Sequence, residues 1–188
     1  MKKVMYLTLA LSMGLLISWC TKVTDNASPT PAVSLEKTYH SVKDKFSIQY
    51  PGDRSVQENF TGASVLFLSP QTSGDLVREN IAIVKKSLDQ DLSVDSYYAI
   101  TKPSMAESIS GFDEISNQTI TLDTIPAKKV IYGGMLQGLG EAVYHLQRES
   151  IYLIKNKAIY MLTYTSTQDT FNDWNAQVDA MIATLKIQ

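Results

Sequence analysis

The chain has 188 residues, 44% of them hydrophobic and 19% charged, with a formal net charge of -2. This is an ordinary globular balance, and its weakly acidic sign excludes the basic footprint of a nucleic-acid binder. A single cysteine rules out an intrachain disulfide, so a folded domain must be held together by its core.

Residues 1–20 separate from the rest. Lys2 and Lys3 form a positive start, and Val4 to Trp19 is an apolar run without charge. That pattern is a secretory signal, too short for a comfortable membrane span and followed by polar residues. The run ends at Cys20, in Leu16-Ile17-Ser18-Trp19-Cys20. The stretch resembles the lipobox of bacterial lipoproteins, in which an aliphatic and a small residue precede a cysteine that is acylated and becomes the new amino terminus. Trp19 departs from the small residue normally found before that cysteine. Cleavage by the ordinary signal peptidase, with Ser18 and Cys20 at the required offsets, and an uncleaved anchor are the rival readings. Cys20 is the expected lipidation site. It makes the protein an exported lipoprotein tethered to a membrane of the bacterial cell envelope, at the periplasmic or outer surface, with a freely secreted form as the second reading. Loss of Lys2 and Lys3 would take the net charge from -2 to about -4.

Residues 21–38 carry Asp25, Asn26, Ser28, Pro29, Thr30 and Pro31 with little apolar content, which predicts a flexible tether spanning on the order of 25 Å. Residues 39–188 are the expected globular domain. Phe46, Ile48 and Tyr50 alternate with polar residues until Pro51-Gly52. Ala63 to Ser69 and Glu79 to Lys85 read as two further strands. Val94 to Ile109 carries a helical face interrupted near Pro103, preceded by Asp89, Asp91, Ser93 and Asp95. Those acids lack the glycine and the final glutamate of a calcium loop and read as a helix N-cap cluster. After Gly111, alternation returns from Glu114 to Leu122, with Ile115, Ile120 and Leu122 as expected core, and again from Lys128 to Gln137. Gly133-Gly134 and Gly138-Leu139-Gly140 lie between strand patterns and predict a bulge and a wide hairpin turn rather than a phosphate cradle.

The strongest patterns come last. Ile151 to Ile154 and Ala158 to Thr165 predict a hairpin turning at Lys155-Asn156-Lys157, because asparagine tolerates positive φ. Phe171, Trp174, Val178, Met181, Ile182 and Leu185 then fall on one stripe of a helix at about 3.6 residues per turn. Ser166 and Asp169 resemble a capping box for that helix.

Tyr39-His40-Ser41, the Phe-Ser-Ile-Gln-Tyr-Pro entry strand, Ile125-Pro126-Ala127, Ile154 to Tyr160 and the closing Phe171 and Trp174 helix together resemble the bacterial PsbP-like lipoproteins. These are relatives of the photosystem II protein PsbP and of the Ran-binding protein Mog. The likeness covers Tyr39 to Ile187. It implies an α+β fold, an antiparallel sheet of about six or seven strands flanked by helices on both faces. It brings no catalytic residues and implies no photosynthetic role.

Chemistry is sparse. His40 and His145 are the only histidines and are far apart in sequence, so no metal site or cofactor is expected. No Gly-x-Ser-x-Gly elbow occurs, and adjacent Asp113 and Glu114 would point to opposite faces of a strand. Catalysis is therefore the minority reading. Tyr132, Tyr144, Tyr152, Tyr160 and Tyr164 lie on expected strands, either as sheet core or as the lining of a binding surface. The expected function is an interaction module supporting an envelope complex through a protein partner, with a small-ligand binding protein or minor hydrolase as the alternative. The sequence leaves the oligomeric state open.

Overall fold

The computed structural model describes residues 33–188 except 72, 74–76 and 139–140. The expected leader, Cys20 and all but the end of the tether lie outside the described residues. The folded chain begins slightly before Tyr39: Leu35 already packs on the core, and strand β1 runs Lys37–Ser41.

Two antiparallel sheets form. β2 (Phe46–Tyr50) pairs with β1 on one side and with the short closing strand β10 (Lys186–Ile187) on the other. The larger sheet has seven strands in the order β3-β4-β5-β9-β8-β7-β6. Its members are β3 (Ser55–Glu58), β4 (Val65–Leu68), β5 (Asn80–Ser87), β6 (Asp113–Leu122), β7 (Ile125–Gln137), β8 (Val143–Lys155) and β9 (Ala158–Thr167).

Pleating sends alternate side chains to opposite faces, and each face meets a different cover. Helix α2 (Phe171–Ala183) and the small sheet cover one. Phe46, Ile48, Phe67, Ile81, Ile151, Leu162 and Tyr164 are sealed there against Phe171, Val178 and Met181, each at 1% exposure or less. Fully burying such a side chain is worth about 1.5–3 kcal/mol, so this cluster dominates stability. Helix α1 (Val94–Ser108) covers part of the other face, where Tyr98 meets Val130, Tyr132, Tyr152 and Ile159.

Local chemistry explains the connections. The β8–β9 turn is two residues, Asn156 and Lys157, at φ 53° and 55°, and the β6–β7 turn is Asp123 and Thr124, at φ 46° and 68°. Two consecutive positive φ values give the turn whose twist matches paired strands. Ser93 caps α1, its Oγ accepting the Ser96 amide at 3.1 Å. The helix continues through Pro103 instead of breaking there. Proline removes only one intrahelical bond, and Tyr98 and Val94 already anchor the preceding turns in the core.

Three further local expectations fail. No capping box forms on α2: Ser166 is a buried β9 residue whose hydroxyl meets that of Thr170 at 2.7 Å, and Thr170 in turn donates to Glu79 Oε1 at 2.9 Å. The bulge lies not at Gly133-Gly134 but in the neighbouring strand β6, between Glu114 and Ser116, across from Tyr132 and Ile131. Ile115 is its extra residue and is 53% exposed rather than core. Gly134 serves close approach instead. A Cβ on Gly134 would stand 2.4 Å from Ile109 Cγ2, so only glycine lets the end of α1 settle on β7. Gly138 closes the next turn with its amide on the Ala142 carbonyl at 2.8 Å; Leu139 and Gly140 lie outside the described residues.

Candidate functional site

The five tyrosines do not share a surface. Tyr160 and Tyr164 point into the α2 core, while Tyr132 and Tyr152 point to the opposite face beneath α1. All four are at most 5% exposed. Their hydroxyls are spent internally: Tyr164 donates to the Phe171 carbonyl at 3.1 Å, Tyr160 to that of Asp44 at 3.0 Å, and Tyr132 meets Ser150 Oγ at 3.3 Å. Burial pushes the Tyr164 phenol up to about 12, and raises Tyr152 and Tyr98 as well. Only Tyr144 stays half exposed, near the outer end of β8.

Buried polar groups are mostly tied into the scaffold. Lys129 on β7 bridges Glu149 at 2.8 Å and Asp179 of α2 at 3.1 Å. Burial raises Glu149 above the usual carboxylate range, because one ammonium serves two acids and Glu149 Oε1 is buried without a partner among the described residues. Burial works against the charge on Lys129 too, but the two carboxylates outweigh it and hold the ammonium above its ordinary value. On the far side of α2, Arg54 is 3% exposed, donates through Nε to Gln177 Oε1 at 2.9 Å and lies 5.1 Å from the Trp174 ring centre. Ser69 donates to Glu79 at 2.9 Å, a hydroxyl beside a carboxylate, yet at 0% and 6% exposure the pair lies inside the core, where its bonds serve packing.

Ionic contacts on the α1 side are likewise structural. Asp95 pairs with Lys128 at 2.7 Å, and Glu114 takes Lys102 at 2.8 Å and the Tyr98 hydroxyl. Asp113 and Glu114 do face opposite ways, Asp113 across from Gly133 and Glu114 across from Tyr132. His40 is exposed beside Asp44 and Glu58 in a shallow depression.

The concave feature that gathers unspent side chains is at the outer end of β7 and β8. A cleft of ≈ 250 Å³ is lined by Gly133 and Gly134, by the apolar Ile115 and Met135, and by Asp113, His145, Gln147 and Gln168, which supply polar groups. The Gln168 amide bonds the His145 carbonyl at 2.9 Å and fixes that wall. His145 and Asp113 are brought to one cleft by strand register, which their distance in sequence conceals. The dense glycines and the apolar pair Met135-Leu136 near a strand end were the visible signals.

A seven-stranded antiparallel sheet, one helix on each face and a small sheet closed by the C-terminus define the PsbP and Mog class of α/β/α sandwiches. Within that class the chain belongs to the PsbP-like protein family, whose model matches residues 21–187. It is similar in structure to the cyanobacterial PsbP, CyanoP, of Synechocystis sp. PCC 6803, with 13% identity over 88% of this chain and 99% of that one at TM-score 0.56. LpqN of Mycobacterium tuberculosis, described as involved in cell envelope biogenesis, is 14% identical over 81% of this chain and 91% of its own at TM-score 0.53. The Saccharomyces cerevisiae Ran-binding protein Mog1p aligns over 82% of this chain and 96% of its own at 6% identity and TM-score 0.55. Such low identities carry the fold alone. No curated protein matches the chain at the sequence level.

Proposed function

We propose that the protein is exported, held on the bacterial cell envelope by a lipid on Cys20, and acts there as an interaction module supporting an envelope protein complex. The observation carrying this reading is the coupling of a PsbP-like domain to a leader that ends at the chain's only cysteine. The involvement of LpqN in cell envelope biogenesis supports it, as does the internal use of the domain's hydroxyl, carboxylate and tyrosine groups. Among the described residues no helix is long and apolar enough to cross a membrane, so tethering falls to the amino-terminal segment.

The test is labelled-palmitate incorporation together with in vivo crosslinking of a tagged chain. Label and a protein adduct are expected, both lost in Cys20→Ala. Labelling unchanged in that variant contradicts the anchor. The cleft around His145 favours a second reading, small-ligand binding or hydrolysis, which predicts a rise in melting temperature with one class of compound. Its ≈ 250 Å³ falls below the about 300–1,000 Å³ of pockets that enclose small molecules, which weighs toward a protein partner.

A further inference from the structure

The outer ends of β7 and β8 run past both neighbours. β6 begins opposite Gly133 and β9 ends opposite Leu146, so Leu136 and Tyr144, and Val143 beyond them, form a two-stranded arm. Four large apolar side chains are exposed at this end: Met135 at 38%, Leu136 at 45%, Val143 at 46% and Ile115 at 53%. Scattered exposed apolar residues are ordinary, but Ile115 and Met135 line the cleft itself, Val143 lies on Met135's side of the sheet by pleating and Leu136 on the other, and exposed apolar side chains gathered at a cleft mark an interaction surface. The remaining large exposed hydrophobics among the described residues, Val42, Phe60 and Ile100, are separated in the chain and line no cleft with them.

The charge around the arm selects the occupant. Asp113 lines the cleft, Asp169 follows the cleft residue Gln168, and Glu141 sits in the turn of the arm. All three are exposed, and none has an ion pair with a described residue. The nearest arginine, Arg148, belongs to the opposite face, 6.0 Å over the Tyr132 ring. An acidic rim repels anionic lipid headgroups and complements lysine and arginine. The cleft holds about one or two side chains, and Gly133, whose nearest neighbour to an added Cβ is 3.9 Å away, lets a partner approach the backbone.

We infer that the β7–β8 arm and its cleft dock an extended segment of a partner protein, seating an apolar side chain over Gly133 beside Ile115 and Met135. Lysine or arginine flanking that side chain meets Asp113 and Asp169. The inference rests on the reading of the domain as an interaction module and assigns that module its face and the chemistry of its partner.

The test places a photoreactive amino acid at Val143, and separately at Val42, which is 89% exposed in the β1–β2 turn, in the full chain in cells, with the crosslinked peptide sequenced. The expected result is an adduct at Val143 to a peptide with an apolar residue flanked by lysine or arginine. It falls at least tenfold in Asp113→Lys/Asp169→Lys and partially in the milder Asp113→Asn/Asp169→Asn. An adduct to lipid, to a second copy of this chain, or to a protein peptide without basic residues overturns the inference, and so does one that both variants leave unchanged. An adduct at Val42 alone overturns it while leaving the module reading standing; no adduct at either position removes both.

Discussion

One strand of this protein has two environments. Along β8, Glu149 to Leu153 are 1–5% exposed, while Val143, earlier in the same strand, is 46% exposed. The side-chain chemistry is alike at both ends; the neighbours differ. The inner part lies between β7 and β9, with α2 and the small sheet on one face and α1 on the other, whereas Val143 to His145 at the outer end pair with β7 alone. Apolar residues in the first place hold the fold, and in the second are left for something else to cover.

That contrast is open to direct challenge, beginning with the largest expected effect. Phe171→Ala, which empties a 1%-exposed position against Tyr164 at a ring separation of 5.0 Å, is expected to cost about 3–5 kcal/mol, read from the urea midpoint. A loss under about 1 kcal/mol would mean that α2 is not seated on the sheet. Lys129→Met leaves Glu149 charged and buried without its partner, a loss of about 3 kcal/mol by the same measurement. Glu149→Gln costs less, because the burial penalty leaves with the charge. If both substitutions are silent, the inner part is wetter than described.

Buried phenols give a third handle. Tyr164, Tyr152 and Tyr98 have raised values in the folded protein, burial being the first cause in each and the Glu114 carboxylate adding to it at Tyr98. A raised phenol stabilises the fold fully below its unfolded value of about 10, and the contribution fades as pH rises toward the folded value. For Tyr164 that window ends at about 12. Urea midpoints are therefore expected to fall steadily above about pH 10, and a flat profile to pH 11.5 would deny that the tyrosines are interior. At the other end of the strand, Val143→Ser is expected to change stability by less than about 0.5 kcal/mol. A loss of 2 kcal/mol would place Val143 in the core and remove the arm.

Legibility followed the same division. The β8–β9 hairpin and α2 were readable because a strand covered on both faces is apolar at both parities, and a helix on a core shows one stripe. β1, β3 and β10 escaped notice because they are short and mostly exposed, with compositions such as Ser-Val-Gln-Glu that carry no period. Ile115 was misplaced because a bulge shifts parity by one residue, an effect of pairing and not of composition. The tyrosines were visible as a resource, but which of them share a face depends on register. The cleft that joins Asp113 to His145 depends on two registers at once, β6 on β7 and β7 on β8.

Hydrogen exchange along β7 and β8 of the native chain tests the division most directly. Amides of Ile151 and Leu153 are expected to exchange only through global unfolding, and those of Leu136 and Tyr144 orders of magnitude faster through local opening of the arm. Equal, slow exchange along the whole length of both strands would contradict the account, since the arm would then be as much a part of the core as the strands that carry it.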